Sequence, residues 1–335
     1  MSNDPLKVEL TRAGLVESVH LVDAVVVDTA GQVQETWGDF ARHTLPRSAT
    51  KPLQALPLVE TGAADAFNLS TVELSMSCAS HNGEASHVAT VEAWLAKVGS
   101  GQEDLACASH PHSEPRLIAD DYCSGLPTPV SNNCSGKHSG FITLMRHEGV
   151  EVDGYLAPEH PLHRDYITPM LAEMCHFDPA GQEPGIDGCG VPVWAIPLTG
   201  LATGWANLPG RPAGRRLLDA MVAEPFYMAG TGRSCTRINT EGQGRAVVKT
   251  GAEGVFCGTL PDQGLGMALK VHDGGSRASG AAAAWLLHQL GALDFDGTDE
   301  VTNHAGRVVG EIRVRAYPSA VSSAESACSK AAMAW

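Results

Sequence analysis

The sequence predicts an α/β (α+β) fold in which helices flank an antiparallel sheet and a helical part is inserted in the middle. Its predicted elements run in the order strands, helices, strands, helix, strand, and segregated runs of this kind are typical of a sheet covered by helices. The chain has no Gly-x-Gly-x-x-Gly segment after an early strand and no Gly-x-x-x-x-Gly-Lys-Ser/Thr loop, which argues against a doubly wound nucleotide fold. We expect a single unit over residues 1–335, with the sheet formed by about 1–45 and 225–317 and a mainly helical part at about 46–224.

The N-terminal residues 7–39 predict two or three strands. The apolar run Ala24–Val27 leads into a turn at Asp28–Gly31, and Val33–Trp37 then returns as a hairpin partner. This hairpin opens the predicted sheet.

The middle of the chain predicts helices separated by loops. Apolar side chains recur at helical spacing in several stretches, and a long region at 100–136, rich in Gly, Pro, Ser and Cys, has little periodicity and predicts a functional loop. The helical stretches lie at 71–79, 84–97, 137–146, 162–175 and 217–224.

The last third of the chain returns to strands. Ala246–Thr250 and Gly264–Val271 predict strands separated by a Gly-rich turn, followed by an Ala-rich helix at Ala278–Leu290 and a late strand at Arg307–Arg315. The Ser/Ala-rich tail Pro318–Trp335 predicts no function.

Composition excludes several classes of protein. The formal charge of −15 argues against nucleic acid and anionic membrane surfaces as partners, because both require a basic face. The sequence contains no run of about 18 apolar residues, so it predicts no transmembrane helix. The N-terminus shows no secretory signal, and we therefore expect a cytoplasmic protein. The nine cysteines are widely spaced without a Cys-x-x-Cys pair, which predicts thiols rather than a disulfide framework.

The stretch Arg47-Ser48-Ala49-Thr50-Lys51 has the form Ser-x-x-Lys at the start of an apolar run. On a helix, the Ser48 hydroxyl and the Lys51 amine would share one face. Because a neutral buried lysine can accept a hydroxyl proton, this spacing suits a nucleophile and its activator. Pro52 and Pro57 lack backbone donors, so a helix here must start late or kink.

Two further motifs follow in a meaningful order. Ser131-Asn132-Asn133 fits Ser-x-Asn, and Lys249-Thr250-Gly251 fits Lys-Thr-Gly. Together with Ser-x-x-Lys they occur in the order found in serine β-lactamases and penicillin-binding proteins, which the predicted fold resembles.

Other polar segments allow more than one interpretation. Ser80–Gly83 is either a capping turn or a corner that faces a substrate. Residues 132–140 form a dense polar cluster at a loop-to-helix junction, where backbone N–H groups favour anions. Asp187–Gly190 presents a carboxylate and a thiol together, whereas Gly230–Thr236 is Gly-rich but lacks a phosphate-loop lysine. The spacing Cys134-x-x-Lys137 is not an ordinary zinc-binding pattern, because lysine binds zinc only when it is neutral.

Taken together, these motifs resemble the Rhizobium etli-type L-asparaginases, also called the asparaginase II or thermolabile family. The resemblance spans most of the chain and is carried by Arg47-Ser48-x-x-Lys51-Pro52, Cys78–Glu84, Asn132–His138, Asp187–Gly190 and Lys249-x-Gly251–Gly254.

The resemblance implies a serine β-lactamase-like fold, a homodimer, and hydrolysis of L-asparagine to L-aspartate and ammonia. It implies catalytic pairs of Ser48 with Lys51 and of Ser80 with Lys249. It also implies one zinc ion that aids substrate binding, held by Cys134, Lys137 and Cys189. Substrate contacts are expected from a further set of residues: Arg47, Asn133, His138, Asp187 and Cys235.

The expected mechanism is attack by Ser48 on the side-chain amide carbon, with Lys51 accepting the proton and the Ser80–Lys249 pair relaying a proton to ammonia. Two alternatives stay open at this point. One is another acyl-serine hydrolase, such as a glutaminase or a β-lactam or peptide hydrolase, because asparagine and glutamine differ by only one methylene. The other is a protein without enzymatic activity that binds zinc or responds to oxidation through its thiols.

Overall fold

The computed structural model describes residues 4–110, 118, 122–123 and 127–316. Part of the predicted loop at 100–136 and the whole tail Pro318–Trp335 therefore lie outside the described residues. Among the described helices, none is both long enough and apolar enough to cross a membrane.

Twelve strands are present in the described part of the chain: β1 (Leu6–Arg12), β2 (Leu15–Asp28), β3 (Val33–Trp37), β4 (His43–Thr44), β5 (Gly185–Ile186), β6 (Pro192–Val193), β7 (Ile196–Pro197), β8 (Val247–Thr250), β9 (Val255–Leu260), β10 (Leu265–Val271), β11 (Asp299–Thr302) and β12 (Val308–Arg315). The α-helices are α1 (Lys51–Gln54), α2 (Leu56–Glu60), α3 (Ala63–Ala66), α4 (Thr71–Ser77), α5 (Ala85–Lys97), α6 (Ser135–Glu148), α7 (Thr168–Cys175), α8 (Leu198–Asn207), α9 (Pro212–Ala223), α10 (Pro225–Ala229), α11 (Ser234–Gly242) and α12 (Ser276–Gln289).

The main sheet has eight strands in the order β11-β12-β1-β2-β10-β9-β8, with β3 paired to β2. Every strand pair in it is antiparallel. Strands from both ends of the chain thus meet in one sheet, and the predicted antiparallel sheet flanked by helices is confirmed.

Both faces of this sheet are covered by helices. The consecutive residues Ala24, Val25, Val26 and Val27 are all fully buried, and successive side chains of a strand point to opposite faces. Helix α8 lies against β2, β9 and β10, and α12 lies against the same strands together with β1 and β12. The core of the sheet part therefore lies between the sheet and these two helices.

The prediction that only a Gly-rich turn separates the strands at 246–250 and 264–271 is wrong. A strand, β9, lies between them and pairs with both β8 and β10. All six of its residues are buried, so its sequence Val-Phe-Cys-Gly-Thr-Leu lacks the alternation that identifies a half-exposed strand.

The helical part packs as several short helices against α6. Trp94 of α5 donates its indole N–H to the Thr143 hydroxyl of α6 at 3.0 Å. Gly136, at the start of α6, lies so close to α4 that a Cβ on it would be 2.4 Å from the Met76 carbonyl oxygen. This close approach brings the C-terminal end of α4 next to the N-terminal end of α6.

The helical part and the sheet meet at a 3₁₀ turn formed by Arg47–Thr50. Gly251, directly after β8, lies against this turn, since a Cβ there would be 2.4 Å from the Pro46 carbonyl oxygen. The three predicted motif segments at 47–51, 131–138 and 249–251 therefore converge on this junction, as their shared hydrogen bonds show.

Candidate active site

The Ser80 hydroxyl is the centre of the site. Helix α4 ends at Ser77, and the chain then turns so that the Ser80 N–H donates to the Met228 carbonyl at 3.0 Å. Two lysine amines reach the same hydroxyl: Lys51 Nζ lies 3.0 Å and Lys249 Nζ 2.9 Å from Ser80 Oγ. Ser80 is 4% exposed, so this cluster is enclosed by protein. The corner at Ser80 is therefore part of a charged cluster and more than a capping turn.

Lys51 comes from the first turn of α1 and is fully surrounded by acceptors. Besides Ser80 Oγ, its amine donates to the Ala79 carbonyl and to Cys134 Sγ, the latter at 3.1 Å. Three acceptors match the three N–H donors of an ammonium group. Lys51 therefore links the Ser80 turn to the N-terminal end of α6.

Lys249 lies at the end of β8, where its amine also donates to the Thr250 carbonyl at 2.7 Å. Its side chain is completely buried, and burial is the main cause that lowers its pKa from 10.5 to about 7. The neighbouring charges of Lys51 and Arg233 lower its pKa further, while Cys235 opposes them. Near neutral pH, Lys249 can thus be a neutral amine that accepts a proton.

Ser48 lies in the 3₁₀ turn and is half-buried. No described residue forms a hydrogen bond with its hydroxyl. The expected direct pairing of Ser48 with Lys51 is therefore not seen, because Lys51 is turned toward Ser80. The reason is local: the segment begins as a 3₁₀ turn after Pro46, and α1 starts only at Lys51, so the two side chains do not share a continuous α-helical face.

Arg47, directly before Ser48, has a left-handed backbone with φ +53°. Its side chain forms an ion pair with Asp187, with Nε 2.5 Å from Oδ1. A positive φ is strained for a residue with a side chain. The ion pair thus ties the strained turn to the Asp187 corner, and these two expected substrate-binding residues lie together.

A second cluster contains the three expected zinc ligands. Lys137 Nζ lies 3.0 Å from Cys189 Sγ, and Cys134 is close enough to Cys189 to influence its ionisation. The interaction with Cys134, together with the charge of Lys137, lowers the pKa of the Cys189 thiol against the opposing effect of burial. Burial opposes the charge of Lys137, but Cys189 and Cys134 outweigh this effect and raise its pKa. The two shifts favour an ammonium on Lys137 beside a thiolate on Cys189.

His138 faces the same cluster and has an unused nitrogen. Its Nδ1 lies 2.6 Å from the Tyr155 hydroxyl, and burial, followed by the Lys137 charge, lowers its pKa to about 4. The buried Nε2 has no hydrogen-bond partner in the described part of the chain, which is unusual for a buried polar atom. Cys189 lies close enough to influence this ring electrostatically. The imidazole is thus neutral and directed at the thiols.

The donor set fits a metal ion if lysine is counted as a ligand. Within the described residues, no group of three or more His, Cys, Asp and Glu side chains is arranged to hold a metal. Two thiols and one amine nevertheless converge, with the unpaired imidazole nitrogen beside them. Soft thiolate donors are ligands that zinc prefers, so these residues fit the expected zinc site with Lys137 as the third ligand.

The two remaining expected residues border the clusters. The Asn133 side-chain oxygen accepts from Cys134 Sγ at 3.1 Å, and its backbone carbonyl accepts from the His81 N–H. Cys235 is buried at the start of α11 and accepts the Thr250 N–H at 3.1 Å. Both therefore support neighbouring parts of the site through hydrogen bonds.

Two residues of the site were not predicted from the sequence. Tyr155, which holds His138, lies in a stretch without any motif, so no signal marked it. Arg233 lies in the Gly-rich segment 230–236, and its guanidinium donates to the Asn82 side chain two residues after Ser80. The segment has no phosphate-loop lysine, and no other motif in it marks the arginine as functional.

The chain is similar to known proteins over most of its length. Residues 8–314 match the model of a protein family described as L-asparaginase II. No curated protein matches the sequence. Among solved structures, a β-lactamase from Mycobacterium bovis is similar over 81% of this chain and 95% of its own, at 16% sequence identity and a TM-score of 0.39. We draw nothing further from a likeness at that score.

Proposed function

Because the chain belongs to the L-asparaginase II family and is an asparaginase-type amidohydrolase, we propose that it hydrolyses L-asparagine to L-aspartate and ammonia through a serine ester, with lysines moving the protons. The observation that carries this proposal is the Ser80 hydroxyl held between two lysine amines, one of which has a pKa of about 7. An acyl-serine mechanism needs a base of this kind beside a hydroxyl.

Ser48 is the proposed nucleophile. The attacking oxygen must touch the side-chain amide carbon of the substrate, and the half-buried Ser48 hydroxyl is unengaged by described protein groups. Ser80 is more enclosed and already linked to both lysines. The proton of Ser48 passes into the Ser80 cluster, where Lys249 accepts it. The same lysine returns a proton, through Ser80, to the departing ammonia, and water then hydrolyses the β-aspartyl ester on Ser48.

Lys51 has a different part in this scheme. With three acceptors around its amine, it stabilises negative charge that develops on Ser80 while the proton is in transit. Arg47, Asn133, His138, Asp187 and Cys235 are the proposed substrate contacts.

Zinc is proposed as a cofactor held by Cys134, Lys137 and Cys189. The convergence of these donors and the unpaired His138 Nε2 support the assignment. When bound, the metal would supply positive charge that orients the substrate, because the site has a serine nucleophile of its own. Lys137 has to lose its proton to bind the metal, so we expect zinc affinity to rise with pH.

A homodimer in the cytoplasm is proposed as the functional state. The family resemblance is its support, and sedimentation of the purified protein tests the dimer.

The test of the mechanism locates the ester. Purified protein and its Ser48→Ala, Ser80→Ala and Ser77→Ala variants are assayed for ammonia release from L-asparagine and from L-glutamine, and acid-quenched samples are digested and weighed by mass spectrometry. The Ser77 hydroxyl donates to the carbonyl of Leu74 in its own helix, so Ser77→Ala controls for loss of a buried hydroxyl.

We expect an aspartyl adduct on Ser48, no adduct in Ser48→Ala, and a fall of about 100-fold or more in turnover for Ser80→Ala, the size typical of lost proton transfer. An adduct on Ser80 would instead make Ser80 the nucleophile and would refute the assignment to Ser48. Ammonia release from the wild type without any adduct would refute the serine mechanism.

A further inference from the structure

A guanidinium without an acidic partner lies beside the serine and lysine cluster. Arg233 precedes α11 and is half-buried. Its Nη1 donates to Asn82 Oδ1 at 2.9 Å, and no carboxylate of the described residues pairs with it. This is unexpected in a chain whose formal charge is −15.

The surrounding loop holds the nearest carboxylate away from this arginine. Glu84 accepts from the Thr231 N–H at 2.8 Å and from the Thr231 hydroxyl at 2.9 Å. Asn82 stands between the two charges, since its amide nitrogen donates to Glu84 at 3.2 Å while its oxygen accepts from Arg233. The arginine is thus fixed in place without being neutralised.

The loop requires glycine to keep this arrangement. Gly230 has φ +110°, and a Cβ on it would be 2.6 Å from both the Asn82 nitrogen and a Glu84 oxygen. Glycine alone lets the loop backbone approach these side chains so closely.

Arg233 lies near the reacting groups. Its partner Asn82 lies two residues after Ser80, and Cys235, two residues further along the chain, holds the Thr250 N–H beside Lys249. The arginine charge is also among the causes that lower the pKa of Lys249 and of His81. By contrast, the other arginine of the site, Arg47, is already paired with Asp187.

We propose that Arg233 binds the α-carboxylate of the amino-acid substrate and so selects for substrates that carry one. A planar guanidinium can bind a carboxylate through two parallel hydrogen bonds, and Arg233 has donors left after its bond to Asn82. The α-carboxylate would supply the missing negative charge. This inference rests on the proposed function.

The test compares two amides that differ in one group. In 3-aminopropanamide, the amine and the side-chain amide of asparagine are kept and a hydrogen replaces the α-carboxylate. Ammonia release from both amides is measured for the wild type, Arg233→Gln, Arg233→Lys and Arg237→Gln. Arg237 lies in α11, four residues after Arg233, but its guanidinium is paired with Glu241 and Asp299, so its variant is the matched control.

We expect Arg233→Gln to lower kcat/KM for asparagine roughly 10- to 100-fold, the size of effect expected when a charged hydrogen-bond pair is lost. Most of this loss should be a rise in KM. The kcat/KM for 3-aminopropanamide should stay nearly unchanged. Arg233→Lys should recover part of the loss, because it keeps the charge but not the fork. Arg237→Gln should not change the ratio between the two amides. If the wild type turns over 3-aminopropanamide too slowly, competitive inhibition by L-aspartate and by 3-aminopropanoate gives the same comparison.

An equal loss for both amides in Arg233→Gln would assign Arg233 a purely structural role and overturn the inference, as would an unchanged KM for asparagine. Failure of the proposed function looks different, because the wild type itself would then release no ammonia from asparagine.

Discussion

The low pKa of Lys249 predicts how activity and stability depend on pH. At pH 7 an amine with a pKa of about 7 is half neutral, whereas an ordinary lysine with a pKa near 10.4 is neutral in only about 0.04% of molecules. If the neutral amine is the base, kcat/KM should rise about tenfold per pH unit below pH 7 and level off above it. Lys249→Met should lose this activity.

The same variant should be more stable than the wild type, in a pH-dependent way. Below pH 7 both the folded and the unfolded wild type carry the charge, so folding bears the full cost of burying it. A pKa lowered from 10.5 to about 7 sets this cost at no more than about 5 kcal/mol. Between pH 7 and 10.5 the unfolded chain binds more protons, so wild-type stability rises with pH and the advantage of Lys249→Met shrinks.

Two measurements check this reasoning: ammonia release between about pH 5 and pH 9, and urea unfolding of both proteins near pH 6 and pH 10. Lys97→Met is the control, because Lys97 is partly exposed and paired with Glu73, and we expect its effect on stability to stay constant over this range. A pH–rate profile that is flat around pH 7, or a stability advantage of equal size at both pH values, would refute the role assigned to Lys249.

Three further predictions concern the frame of the site and its metal. Gly136→Ala should destabilise the protein by about 1–3 kcal/mol, because the added Cβ would lie 2.4 Å from the Met76 carbonyl oxygen; an unchanged urea midpoint would show that the two helices separate freely. Ser70→Ala removes the capping box of α4 and should cost about 1 kcal/mol with kcat unchanged, so a loss of turnover without a loss of stability would contradict it. Cys134→Ala should abolish stoichiometric zinc binding, measured by elemental analysis, and raise KM for asparagine; retained zinc with an unchanged KM would rule out the proposed ligand set.

The sequence was a good guide to elements with a clear periodicity. The hairpin of β2 and β3, the helices at 85–97 and 276–289, and the strand at 308–315 lie close to where alternation or helical spacing predicts them. Strand β9 was missed for a physical reason, because a strand covered on both faces loses its alternation. Helix α8 was missed because Gly200 and Gly204 in it suggest a loop, whereas they allow the close approach to Cys175.

The sequence predicted which residues form the candidate site but not which of their side chains contact each other. Ser48 and Lys51 have the spacing of one helical turn, yet the 3₁₀ turn at 47–50 and the distant Ala79 carbonyl decide where the lysine points. Such a preference depends on tertiary contacts, which local spacing does not encode. The roles proposed for Arg233 and Tyr155 depend in the same way on neighbours far along the chain, and the division of the chain into sheet and helical parts stays a prediction.

The order of strands in the sheet has a consequence for synthesis of the protein. Strands β1 and β2 are made first, but their partners β10 and β12 come from residues 265–271 and 308–315. Lys249 leaves the ribosome 201 residues after Ser48, about 10–40 s later at common translation rates. A nascent chain therefore carries Ser48, Ser80 and Lys51 before Lys249 can reach them. The contact between the Lys249 amine and the Ser80 hydroxyl can therefore form only after β8 has been made and has paired with β9.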